Sequence, residues 1–336
     1  MNQLEMRAVY AQTLIELAEK DERIVVLEAD LMKASGTTTF RNNFPERAFN
    51  MGVAEANMVG VAAGLSAGGK IPFADTFACF AARRTYDQFF ISGNYARLNV
   101  KLVGTDPGIS SEYNGGTHMP FEDMGIMRNI PKLVVFEPSD PVSLKKLVKK
   151  SAYHQGCTYM RLHRKPVTVI YPEEEEFELG KGKILKDGTD VTLIATGAIM
   201  VAEALKASEL LKEEGISAAV IDMHTIKPID KELILAYAKK TGSIVTCENH
   251  QIINGLGSAV AEALSENYPT LLKRIGIQDE FGEVGKTDYL LERYQLSAGY
   301  IVSAAKENSK ERKIKVDATN TASDILIKRL WKKFIY

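Results

Sequence analysis

Residues 50–75 read NMGVAEANMVGVAAGLSAGGKIPFAD, a small-residue helix over Ala54–Leu65 that runs through glycines into a short apolar strand, Ile71–Asp75. The same alternation continues on both sides. Upstream, Gln3–Glu19 has the pattern of a helix, and IVVLE (Ile24–Glu28) that of a buried strand. Downstream come a helix over Arg83–Ile91, strands at Val100–Gly104 and Lys132–Glu137, a helix over Pro141–Gln155 and a strand at Thr158–Leu162. Strands that are apolar along their whole length and separated by helices are parallel and covered on both faces.

The pattern breaks at YPEEEEFELGKGKILKDGTD, Tyr171–Asp190, a polar and glycine-containing stretch whose Glu173–Glu176 run reads as a solvated face. A second α/β set follows. It has strands at Asp190–Thr196, Ser217–Asp222, Ser243–Glu248 and Lys273–Ile277, and helices over Met200–Glu214, Lys231–Lys240 behind an Asp230 cap, and after Gly257. The expectation is α/β with two doubly wound domains, over residues 1–172 and 190–308, joined by a linker at 173–189. Residues 309–336 hold eight Lys/Arg against three Asp/Glu. Their Ile327, Leu330, Trp331 and Phe334 follow helical spacing after a Thr321/Asp324 capping box, so a basic amphipathic tail is expected, packed on its own protein or on a partner subunit.

Composition narrows the function classes. A net charge of −1 gives no electrostatic case for nucleic acid or an anionic membrane as partner, and no run of residues is long and apolar enough to span a bilayer. Three cysteines far apart (Cys79, Cys157, Cys247) form neither a disulfide framework nor a metal knuckle, so a reducing, cytoplasmic setting and no metal ligands in this chain are expected.

Four stretches carry candidate chemistry. Glu55 is the only charged residue between Asn50 and Gly69. It reads either as a first-turn acid favoured by the helix dipole or as a buried functional carboxyl. Phe77 and Phe80 in TFACFAARRTYDQFF stand three apart at a strand-to-helix turn, as core or as walls for a flat heterocycle. The glycine-rich segment GTDPGISSEYNGGTHMPFED (Gly104–Asp123) follows a strand and carries His118, which suits a ligand-binding loop. RLHRKP (Arg161–Pro166) packs four basic residues at a strand end, either as a fork for an anionic group or as a solvated edge.

Taken in order, GVAEANMVGVAAGL, PFADTFACFAARRTYDQ, GGTHMPFED and RLHR resemble the carboxy-terminal half of a transketolase, more closely the separate carboxy-terminal subunit of split transketolases. DVTLIATG, TIKPID, ENHQIINGLGSAVAE and FGEVGKTDYLLERY are similar to that family's last domain, and the resemblance covers roughly residues 1–308. It implies a pyrimidine-binding thiamine diphosphate fold followed by a transketolase C-terminal-like domain, and transfer of a two-carbon ketol unit from a ketose to an aldose.

Residue by residue, the resemblance implies that Glu55 shares its proton with a ring nitrogen of the cofactor's aminopyrimidine and so drives cofactor activation. Apolar surroundings would favour that proton. It places Phe77 and Phe80 around the aminopyrimidine, Asp30 near the cofactor, and His118 on the donor ketose as a hydrogen-bonding and proton-transferring group. Arg164 is expected to hold the sugar's terminal anion, with Arg7 and Ser35 nearby. Two positions depart from the family pattern. Asn114 stands where an aspartate often reads the donor hydroxyls, and Asp106 where single-chain enzymes tend to carry a histidine. An apulose phosphate, a sulfonated sugar or another modified ketose is therefore expected rather than the usual pentose phosphates.

The sequence contains no GDG followed by paired asparagines, the superfamily motif for magnesium and diphosphate. The resemblance thus implies a partner, an amino-terminal subunit holding the diphosphate and Mg2+, in an α2β2 assembly. Other readings are the β subunit of a thiamine diphosphate-dependent 2-oxo acid dehydrogenase, a relative of deoxyxylulose phosphate synthase, and a noncatalytic assembly subunit.

Overall fold

The computed structural model describes residues 3–311, which form two α/β lobes. The strands in chain order are β1 (Gln3–Glu5), β2 (Ile24–Glu28), β3 (Ala48–Asn50), β4 (Ile71–Phe77), β5 (Lys101–Thr105), β6 (Val134–Phe136), β7 (Thr158–Leu162), β8 (Pro166–Thr168), β9 (Lys183–Lys186), β10 (Val191–Ala195), β11 (Ala218–Asp222), β12 (Thr225–Lys227), β13 (Ser243–Gln251) and β14 (Leu271–Ile277).

The first lobe is built on a seven-stranded sheet ordered β12-β6-β7-β5-β4-β2-β3. Its strands β6, β7, β5, β4, β2 and β3 pair in parallel. Strands β2, β5 and β7 are buried at every residue, because helices cover both faces of this parallel sheet. The second lobe has five strands ordered β14-β13-β10-β11-β9. Its long helix Gly197–Glu213 packs on β11 and β13, and a further helix runs over residues 298–311. The two-domain α/β reading holds.

Several short elements went unread in the sequence. Residues 173–189, expected as linker, contain β9, which pairs antiparallel with β11. Strand β12 lies in the second lobe's sequence yet pairs antiparallel with β6 of the first sheet, Thr225 opposite Phe136. The expected single helix over Gln3–Glu19 begins instead as β1, paired with β8, before the helix Met6–Ala18. The amphipathic tail lies, beyond residue 311, outside the described residues.

One buried cation rivets the lobes. Arg161 on β7 is fully buried, with Nε 2.9 Å from Asp123 Oδ2, Nη1 2.8 Å from Glu137 Oε2, and Nη2 donating across 3.0 Å to the Asn249 carbonyl of the second lobe. Two carboxylates around one guanidinium satisfy the fork of donors and offset the cost of burying it. Arg161 is therefore structural, and the basic cluster RLHR is mostly not a solvated edge.

Candidate functional site

In the helix Glu55–Ala67 the buried side chains are Glu55, Met58, Val59, Ala62 and Ala63, a single stripe at helical spacing. Glu55 begins that stripe, which is why a carboxylate in the first turn is only 5% exposed. Among the described residues one charged side chain pairs with it. Arg84 Nη1 donates to Glu55 Oε1 at 2.7 Å. The niche is thus not purely apolar, as the sequence suggests, because a guanidinium offsets the cost of burying the carboxylate.

Arg84 reaches Glu55 from the end of the helix Ala78–Arg83, four residues after Phe80. That spacing lays its guanidinium 3.9 Å over the Phe80 ring. Phe77, the last residue of β4, lies 6.0 Å from Phe80, tilted at 37°. His118 closes the cluster, edge-on to Phe80 at 5.3 Å and to Phe77 at 6.2 Å, its Nδ1 2.8 Å from Thr117 Oγ1. Phe77, Phe80 and His118 thus form one cluster, joined to Glu55 through Arg84, although they come from three separate segments.

The loop that carries His118 is shaped from within and from the second lobe. Ser111 Oγ donates to the carbonyls of both Asp106 and His118 at 2.8 Å. Arg83 Nη1 donates to the Thr117 carbonyl at 3.1 Å. Its glycines allow close approach: a side chain at Gly108, which has φ +55°, would meet Asn249, and one at Gly116 would meet the Gly282 carbonyl, each at 2.1 Å. Asn249 also accepts from the Ile109 N–H at 2.9 Å.

A second cluster gathers beyond Phe77. Arg164, just past β7, places its guanidinium carbon 5.7 Å over the Phe77 ring and its Nε 2.6 Å from Oδ1 of the buried Asp106. Burial pushes the Asp106 carboxyl up to about 6, against the pull of Arg164, Lys165 and Arg7. Lys165 pairs with Glu112. Arg7 is hydrogen-bonded through its backbone N–H to the Arg164 carbonyl at 3.3 Å, and its side chain pairs with Glu5 at 2.7 Å.

The remaining expected residues are placed as follows. Asp30 is exposed, has φ +63°, and exchanges hydrogen bonds with the Asn50 side chain at 3.1 Å. Asn114 is exposed at the end of the 3₁₀ segment Gly108–Asn114. Ser35 differs from its expected role. It is 1% exposed and its hydroxyl donates to Glu28 Oε1, so it faces inward, although Arg7 Nη1 does reach the neighbouring Ala34 carbonyl at 3.3 Å.

Sequence reasoning missed Arg84 and the pairing of Asp106 with Arg164. The signal for Arg84 was present, since arginine four residues after an aromatic on a helix stacks on it. The Asp106 pairing joins β5 to β7 and has no local signature.

The arrangement fits the aminopyrimidine that the resemblance implies. Arg84 shows that a flat, nitrogen-bearing group lying on Phe80 reaches Glu55 at hydrogen-bond distance. Among the described residues no group of three or more His, Cys, Asp or Glu is placed to hold a metal ion, and no helix is long and apolar enough to cross a membrane.

Comparison with known proteins adds to this geometry. The family described as transketolase, pyrimidine binding domain, matches residues 2–169, and that described as transketolase, C-terminal domain, matches residues 180–301. The chain is 54% identical to the 6-deoxy-6-sulfo-D-fructose transketolase subunit SqwH of Clostridium sp. (strain MSTE9), an alignment covering 90% of this chain and 94% of that protein. It is 48% identical to a putative transketolase C-terminal section of Methanocaldococcus jannaschii, over 91% of this chain and 96% of that one. Among solved structures, a split gene transketolase described as an inactive beta4 tetramer superposes with a TM-score of 0.85 at 45% identity, covering 92% of this chain and 99% of that chain.

Proposed function

This chain belongs to the transketolase family, and from that premise we propose that it is the pyrimidine-side subunit of a two-chain, thiamine diphosphate-dependent transketolase acting on an anionic ketose. The observation that carries the reading is one cluster in which Phe80 packs against Phe77 and His118 and lies under the Arg84 guanidinium that binds Glu55. When bound, the cofactor supplies the electron sink that cleavage of a ketose carbon–carbon bond requires.

This chain's residues have the following roles. Phe80 and Phe77 would pack against the aminopyrimidine, which would take the place of the Arg84 guanidinium beside Phe80. Glu55, buried in the first turn of its helix, would hold a proton toward a ring nitrogen of the cofactor, which would take the place of Arg84 as its partner. Asp30 stands near the cofactor at the mouth of β2. His118 hydrogen-bonds the donor sugar where charge develops, fixed there by Thr117 and by the stapled loop. Asn114 meets the donor hydroxyls as both donor and acceptor. Arg164, with Arg7 beside it, holds the terminal anion.

The diphosphate and Mg2+ are held by an amino-terminal subunit in an α2β2 assembly in the cytoplasm, with domain boundaries at residues 172 and 190. Two facts support a partner. The sequence lacks the GDG-and-asparagine motif, and the similar split-gene chain is described as an inactive beta4 tetramer. Identity to a protein named for sulfofructose favours a donor with a terminal sulfonate.

The test is reconstitution. The purified chain, with thiamine diphosphate and Mg2+, is assayed alone and with an amino-terminal subunit carrying the missing motif. Donors are 6-deoxy-6-sulfofructose and fructose 6-phosphate, with an aldose phosphate as acceptor. Ketol transfer only by the mixture is expected. Turnover by the chain alone, or activity only on a 2-oxo acid, would sink the reading.

A further inference from the structure

We propose that Asp106 is a specificity residue that makes the terminal-anion corner favour a singly charged group, a sulfonate, over a doubly charged phosphate. The proposal rests on the placement of Arg164 at the sugar's terminal anion given above.

The corner is balanced in charge before any ligand arrives. Its cations are Arg164, Lys165 and Arg7, and each has its own carboxylate: Asp106, Glu112 and Glu5. A site tuned for a dianion is normally built with surplus positive charge, because each added negative charge must be matched by a donor. Here three cations face three acids. An incoming group with one negative charge adds the least repulsion to such a corner.

Asp106 is the acid built in most firmly. It is 1% exposed, whereas the side chains of Glu112 and Glu5 are 21% and 40% exposed. Its backbone sits at φ +55°, a conformation few non-glycine residues adopt, held by its N–H to the Leu162 carbonyl at 3.2 Å and by Ser111 Oγ on its own carbonyl. Its carboxylate meets Arg164 at Nε, from the buried side, while the Arg164 side chain remains 23% exposed. Arg164 meets Asp106 through Nε, and its Nη1 and Nη2, the open end of the fork, are the atoms assigned to the ligand. Asp106 Oδ2 is buried without a hydrogen-bond partner, so its charge is not dispersed elsewhere. An acid positioned this way leaves the guanidinium's shape for recognition and cancels much of its charge.

A repulsive element of this kind discriminates by charge, not by fit. One unit of charge removed about 6 Å from a ligand, at an effective dielectric of about 20, changes the relative affinity for a dianion over a monoanion by up to roughly a hundredfold.

The experiment uses the reconstituted two-subunit complex at pH 7.5, as wild type, Asp106→Asn and Asp106→Ser. The probes are 6-deoxy-6-sulfofructose and fructose 6-phosphate, which carry on C6 a directly bonded sulfonate and a phosphate ester, so the change of ratio on substitution, not the ratio itself, is the readout of charge. Both kcat/KM and calorimetric binding are measured. Wild type is expected to favour the sulfonate, and both variants to shift the ratio toward the phosphate by at least about tenfold, chiefly through KM. The melting temperature identifies a variant that misfolds, and the second substitution then decides. An unchanged ratio in a folded variant overturns the proposal. Binding preference that moves with Asp106 without any turnover would uphold the proposal while overturning the transketolase reading. Binding of neither sugar would overturn the assignment of this corner to a terminal anion.

Discussion

Arg84 Nη1 donates to Glu55 Oε1 across 2.7 Å while the same guanidinium lies 3.9 Å over the Phe80 ring. A planar cation thereby fills the niche between an acid and an aromatic face. One guanidinium thus makes both a charge-assisted hydrogen bond and a cation–π contact.

Replacing Glu55 separates chemistry from stability. Glu55→Gln in the reconstituted complex is expected to lower kcat by about 10²–10⁴-fold, the range for loss of a positioned proton-transfer group. Its melting temperature should hold or rise, because a neutral amide is less costly to bury than a carboxylate. Steady-state kinetics beside calorimetry checks both. Unchanged turnover would make the chain a noncatalytic subunit.

Removing the other partner has the opposite sign. Arg84→Ala in the chain alone leaves Glu55 buried without its cation. A loss of about 1–2 kcal/mol is expected, below the full cost of breaking a buried pair because Arg84 is half exposed. Adding Glu55→Gln to Arg84→Ala should restore most of that loss in urea unfolding. Additive losses in the double variant would disprove coupling between the two.

Arg161→Met is expected to cost about 3–5 kcal/mol, because it strands Asp123 and Glu137 as buried, unpaired carboxylates between the lobes. Denaturant titration reads the loss. A change below about 1 kcal/mol would mean the two acids find other partners.

Asp222 gives a pH signature. Burial lifts its carboxyl from 3.8 to about 7, opposed by hydrogen bonds from Ser139 and Tyr171. The folded state therefore holds a proton that the unfolded chain releases at lower pH. The associated stability is complete below pH 3.8 and is lost as pH rises toward about 7, a change on the order of a few kcal/mol. Asp222→Asn should match wild type near pH 4 and be more stable at pH 8. Parallel stability curves for the two proteins would refute this account.

The sequence was most legible where local pattern and buried function coincide. The stripe through Glu55 follows helical spacing, β2 and β7 are apolar runs, and the ordered motifs bring out Phe77, Phe80 and His118. It was least legible where meaning depends on distant pairing. Ser35 turns inward because Glu28, seven residues away, needs donors for a carboxylate buried on both sides. Arg161 and Arg164 stand three apart in one basic cluster, yet one binds the lobes and the other faces the site. Strands of three residues such as β1, β8 and β12 are too short to show alternation, and only their partners define them.

The crossing of β12 onto β6 governs how this protein can be dissected. A truncated chain ending before the second lobe would strip β6 of its antiparallel neighbour and uncover a row of unmet backbone donors and acceptors. Such a fragment is expected to associate through that edge more than the full chain does, and light scattering of the two would show it.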